Sequence, residues 1–180
     1  SEEAVPVLVQ ALDTPATVDA AVEGLGRIDS MAANRALIQV ADRRPAATAL
    51  RAIAILGARR HRNAAPTLIR LLNGAPDAAV AIASAEALGR LATPSARAAL
   101  EGALGRTTEG IAEAAGAGLI TAANELSSRG NSGDAIACLR AVLDATHLPS
   151  LAPRALWTLA RVRSPGALEI LTDVALRGRD

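Results

Sequence analysis

The chain has 180 residues, a formal net charge of +1 and 51% apolar residues, with no Phe, no Tyr and a single Trp. That length allows one domain or one short repeat array. The aromatic poverty disfavours an all-β fold, whose strands lean on aromatic and β-branched residues, and the near-neutral charge by itself implies no partner.

The apolar residues are mainly Ala, Leu, Val and Ile, and every basic residue is Arg. Ala and Leu are strong helix formers, and a core rich in Ala requires close helix–helix approach because Ala fills little space. Cys138 is the sole cysteine, so no intramolecular disulfide forms and a cytoplasmic setting is permitted. No apolar run approaches the roughly 20 residues that span a bilayer. The opening residues already read as helix, so we expect a segment of a longer chain.

Taken in order, two helical motifs alternate. A first helix is expected near 3–12, on Val7-Leu8-Val9-Gln10-Ala11-Leu12. Thr14-Pro15 reads as an N-cap followed by Pro at the first helical position. It opens a second helix near 15–27 that carries Val18 and Val22-Glu23-Gly24-Leu25-Gly26-Arg27-Ile28. The first motif returns near 31–42 as Leu37-Ile38-Gln39-Val40-Ala41, and the second near 45–57 as Ile53-Ala54-Ile55-Leu56-Gly57. The next copies are Leu68-Ile69-Arg70-Leu71-Leu72 near 63–73 and Ala85-Glu86-Ala87-Leu88-Gly89-Arg90-Leu91 near 76–91. Thr93-Pro94 caps a helix near 94–105 with Leu100-Glu101-Gly102-Ala103-Leu104.

The following copy departs from the pattern. A longer helix near 108–128 holds only Ala117-Gly118-Leu119-Ile120. Gly116 and Gly118 inside it cost helix propensity, so a close backbone contact is expected there. Arg129-Gly130-Asn131-Ser132-Gly133 breaks the chain. Leu139-Arg140-Ala141-Val142-Leu143 then lies near 132–145 and Trp157-Thr158-Leu159-Ala160-Arg161-Val162 near 149–162. Ser164-Pro165 opens the last helix, near 165–177, with Leu171-Thr172-Asp173-Val174-Ala175-Leu176. The irregular repeat at about 108–145 should protrude or locally change the superhelix.

The second motif is anchored on Leu25, Leu56, Leu88, Leu119 and Leu159, and the first on residues 8, 37, 68, 100, 139 and 171. Apolar residues at three- and four-residue steps share one helical face. A single pair cannot bury its own stripe, so neighbours stack. The reading is all-α: a right-handed α-solenoid of about five antiparallel pairs of A and B helices, one array over 1–180. Gly26, Gly57 and Gly89 fall where B helices should end, a place that favours Gly for its tolerance of positive φ.

The end Leu88-Gly89-Arg90 and the helix Ala65-Pro66-Thr67-Leu68-Ile69-Arg70-Leu71-Leu72 resemble the HEAT-like repeats named after phycobilisome lyases. The resemblance covers nearly the whole chain, is specific for the repeat class, and carries no one activity. It implies that B helices line the inner, concave surface. HEAT-repeat hydroxylases hold iron with repeated His-Glu pairs, which this chain lacks. Bilin lyases share the repeat, yet aromatic residues to stack on a tetrapyrrole are nearly absent.

Catalytic and metal constellations are scarce, and no cofactor is implied. His61, His147 and Cys138 are far apart and make no zinc pattern. Cys138 reads as a buried small hydrophobe, and His147, before Leu148-Pro149, as a loop residue. No phosphate-binding glycine loop is present.

Charge is uneven. Residues 43–76 hold seven arginines and no acid. Arg27, Arg59, Arg90 and Arg161 follow the B anchors and are expected to form a ridge. Either each satisfies carbonyls at a helix C-terminus, or together they bind an acidic protein or a phosphate backbone; with one Trp for base stacking, nucleic acid is disfavoured. Positions two and six before each B anchor should face outward: Glu23, Ala54, Glu86, Ala117, Trp157 and Asp19, Leu50, Ile82, Glu113, Pro153. Leu50, Ile82 and Trp157 stand where charge is usual in the family. They serve a partner, or pack between B helices or against a flanking domain.

The expected function is a non-catalytic protein-binding scaffold, with Trp157, Leu50, Ile82, Arg51, Arg154, Arg59, Arg60 and Arg62 as partner-binding residues. The partner is another protein, through an acidic or amphipathic segment, and no membrane is involved. The alternatives are a structural or regulatory module fused to an enzyme outside this chain, or a bilin-lyase-like protein. Neither end helix shows a polar cap, so the chain continues or its ends pair in a homodimer.

Overall fold

A computed structural model of the chain describes residues 2–108 and 110–177, and these form eleven α-helices and no strand. The A helices are α1 (Val5–Ala11), α3 (Met31–Arg43), α5 (Ala65–Gly74), α7 (Pro94–Ala103), α9 (Ser132–Asp144) and α11 (Pro165–Arg177). The B helices are α2 (Val18–Arg27), α4 (Ala46–Ala58), α6 (Ala78–Leu91), α8 (Ile111–Ser128) and α10 (Ala152–Arg161). Each A helix from α1 to α9 packs on the B helix that follows it, A helices stack on A helices, and B helices stack on B helices. The fold is an all-α solenoid of five helix pairs closed by an eleventh helix.

The anchors explain the packing. Leu25, Leu56, Leu88, Leu119 and Leu159 from the B helices are fully buried, as are Leu37, Leu68, Leu100 and Leu139 from the A helices. Each contributes about 1.5–3 kcal/mol by leaving water. Much of the rest of the core is alanine, including Ala21, Ala52, Ala85, Ala115 and Ala123, so backbones approach closely.

The glycines after the B anchors are not helix ends at positive φ. Gly26, Gly57 and Gly89 lie inside α2, α4 and α6, and positive φ occurs instead at Arg60, Ala92, Gly110 and Gly130. Their reason is contact with the next B helix. A Cβ on Gly26 would come within 2.8 Å of Ile55 Cδ1, one on Gly57 within 2.9 Å of Ala87 Cβ, and one on Gly89 within 2.5 Å of the Gly118 carbonyl oxygen. Gly118 in turn leaves room for the Ala85 carbonyl, which an added Cβ would meet at 2.9 Å. The close backbone contact expected at Gly116 and Gly118 therefore exists at Gly118, while Gly116 makes room for a side chain. At Gly118 it is the crossing of α6 and α8; at Gly116 the side chain is that of Leu151.

Helix starts follow the sequence at two of three sites, with a side-chain cap at Thr93. Thr93 accepts from the Ala96 N–H at 3.2 Å, and Pro94 opens α7. Pro165 opens α11. Thr14-Pro15, however, lies in the turn before α2, which starts at Val18. Thr17 fixes that turn, donating its hydroxyl to the Ala11 carbonyl at 2.8 Å. No described helix is long and apolar enough to cross a membrane.

Candidate functional site

The outward face of the B layer is where sequence and structure meet. Among the positions two before the anchors, Glu23, Ala54, Glu86 and Trp157 are exposed and Ala117 is half-buried. One turn earlier, Asp19, Glu113 and Pro153 are exposed, while Leu50 and Ile82 are half-buried against the core. Leu50 and Ile82 thus pack partly between elements. Ile82 Cδ1 sits 3.1 Å from where a Cβ on Gly110 would stand, beneath the loop that enters α8.

Trp157 is 62% exposed. Its helix, α10, buries Ala155, Thr158 and Leu159 and presents Pro153, Arg154, Trp157, Ala160 and Arg161 to solvent. The Arg161 guanidinium lies over the indole, 4.6 Å from the ring centroid, a cation–π contact that holds both side chains in place. Trp157 is therefore not a core residue.

The arginines divide into two kinds. Arg59 turns inward. Its Nη2 donates to the carbonyls of Leu25, Gly26 and Ile28 at 3.2, 2.6 and 2.9 Å, and its Nη1 to Asn34 Oδ1 at 2.7 Å. It caps the C-terminus of α2 in the preceding repeat and does not stand in a ridge with Arg27, Arg90 and Arg161, which are exposed. The warning in the sequence is its offset: Arg59 lies three residues after Leu56, whereas the others lie two after their anchors. Arg106 caps α5 in the same way, donating to the Leu72 and Asn73 carbonyls at 3.1 and 3.3 Å. No motif marked that role.

Other candidate residues are ion-paired. Arg51 pairs with Asp19 at 3.4 Å across α4 and α2. Arg60 pairs with Glu125 of α8, which also faces Arg129 at 3.5 Å. Arg62 and Arg154 are exposed and make no ion pair among the described residues. The structure does not gather the eight candidates at one point. Leu50, Arg51, Ile82, Arg154 and Trp157 lie on B helices, while Arg60 and Arg62 follow the end of α4.

Cys138 is fully buried, and burial pushes its thiol up despite the Arg97 guanidinium beside it, which pulls the other way. His147 Nε2 lies 2.9 Å from the Leu104 carbonyl, so its N–H ties the loop before α10 to the end of α7. No cluster of metal-ligating side chains occurs among the described residues. Exposed apolar side chains also stand on the two outermost A helices: Val7 on α1, Leu168 and Leu176 on α11.

Comparison with known proteins agrees with this geometry. No curated protein matches the chain. Residues 34–120, from α3 to α8, match the family model of HEAT repeats, and the same alternation of A and B helices continues on both sides of the match. Residues 34–120 belong to the HEAT-like repeat family.

Proposed function

We propose that the chain is a non-catalytic protein-binding scaffold whose B-helix face receives an acidic or amphipathic segment of another protein. HEAT repeats commonly mediate protein interactions. The observation that carries the reading here is Trp157. The chain's only indole is spent on a solvent-facing position of α10 and not in the core, with arginines on both sides of it. Trp and Arg are the residues most enriched at binding hot spots. Leu50 and Ile82 supply apolar surface further along the same face.

The test begins with peptides selected from a random library on the immobilised chain. Trp157→Ala should weaken them by about 2 kcal/mol, roughly 30-fold, and leave the melting temperature within a few degrees. Indole emission should be red in the free protein and move to the blue on binding. Selected peptides that bind the variant as tightly, with no emission change in the parent, remove the B-helix face as the binding surface.

A further inference from the structure

The B-helix face does not repeat with every helix pair; it repeats with every second one. Two residues beyond the anchors stand Arg27 in α2, Ala58 in α4, Arg90 in α6, Thr121 in α8 and Arg161 in α10. One turn before each of these stand Glu23, Ala54, Glu86, Ala117 and Trp157. At these two positions charged or aromatic helices therefore alternate with helices that carry only Ala or Thr, although elsewhere α4 presents Arg51 and α8 presents Glu113. Among the described residues, none of the three arginines makes an ion pair, and neither do Glu23 and Glu86. Close to this edge stands Glu125 near the end of α8, and it is already paired with Arg60 and Arg129.

Stacked helices stand about 8–10 Å apart, so successive arginines lie about 16–20 Å apart along the stack. An extended peptide rises about 3.3 Å per residue, so five or six residues cover that step. Six is even and keeps side chains on one face of the strand. A polyanion with a charge on every residue fits poorly. Between the arginines it would meet only Arg60, already paired with Glu125, and about 5.4 Å below them it would run beside Glu23 and Glu86.

We propose that the B-helix face takes an extended peptide running along the stack, with carboxylates six residues apart on Arg27, Arg90 and Arg161 and an apolar side chain against Trp157. The inference rests on the B-helix face being a docking surface and adds the partner's chemistry and spacing.

The experiment uses the full chain and labelled peptides of about 15 residues. One carries three Glu six apart and a Leu beside the last; an isomer of identical composition carries them three apart; a single-stranded oligo-dT of equal length is the third probe. At about 50 mM salt the six-spaced peptide should bind about tenfold more tightly than its isomer and shift the Trp157 emission. Arg90→Ala should erase that preference while its circular dichroism and melting stay those of the parent. Equal affinity of the two isomers with an emission shift overturns the spacing but leaves the scaffold standing. No binding of the six-spaced peptide overturns the inference even where library-selected peptides bind. Tighter binding of oligo-dT overturns the peptide in favour of nucleic acid.

Discussion

One residue of offset decides what an arginine does in this fold. Arg59 reaches back to the end of α2 because it begins one position later on its helix than Arg27, Arg90 and Arg161 do on theirs. There it donates to three carbonyls at the end of α2, of which Leu25's also accepts the Ile28 N–H, and to the buried side chain of Asn34, which is 5% exposed. Removing it strands a buried acceptor, and hydrogen bonds from a charged donor contribute about 1.5–3 kcal/mol. Arg59→Ala should therefore cost about 2–3 kcal/mol in denaturant unfolding. Arg59→Lys should recover only part, because an ammonium lacks the planar fork. Arg62→Ala, at an exposed position, should stay within about 0.5 kcal/mol. Similar losses at both sites would return Arg59 to the surface. The outward position of Trp157 was legible, because it follows from counting back along one helix. The destination of Arg59 was not, because it is set by where the preceding repeat places its last carbonyls.

Glycine carries the element-scale contrast. All eleven helices were legible from alternating motifs, since apolar spacing reports helices directly. The purpose of Gly26, Gly57 and Gly89 was not, because a glycine near a helix end looks the same whether it supplies a positive φ or admits a close neighbour. Gly116 and Gly118 were readable because mid-helix positions leave only the second reason. The consequence is a sign reversal between two substitutions. Ala is the better helix former by about 1 kcal/mol. Gly102→Ala, exposed on α7 with nothing within 4 Å, should stabilise by about 0.5 kcal/mol. Gly89→Ala must push its Cβ into the Gly118 backbone at 2.5 Å, so α6 and α8 must separate; overpacking of this kind costs about 1–3 kcal/mol and outweighs the propensity gain. Thermal melts of the two variants should move in opposite directions. A stabilised Gly89→Ala would mean that α6 and α8 do not cross there.

At the scale of the whole molecule, the extra turn of α8 makes this array less one-dimensional than stacked repeats usually are. In a solenoid each repeat touches its neighbours, and stability is a sum over nearest-neighbour interfaces. Arg60, just after α4, instead pairs with Glu125 near the end of α8, two B helices along, with α6 between them ending at Leu91. The contact exists because α8 spans 18 residues where α6 spans 14, so its last turn passes beyond the end of α6. Arg60 holds a left-handed conformation at φ 50°, which directs the chain into this contact, and Arg129 faces Glu125 from the following turn. The pair ties the second repeat to the fourth and should make repeats two to four open as one unit. Because Arg60 is solvent-exposed, the tie is electrostatic and screened: the Debye length falls from about 10 Å at 0.1 M salt to about 3 Å at 1 M. Native-state hydrogen exchange reads this directly. At low salt, amides of α4 and α8 should share one opening free energy, and Glu125→Gln should split them, with α8 exchanging faster while α4 changes less. In 1 M salt the parent should resemble the variant. Exchange in α4 and α8 that is already independent in the parent at low salt would show that the long helix adds length without coupling, and the array would be an ordinary nearest-neighbour stack.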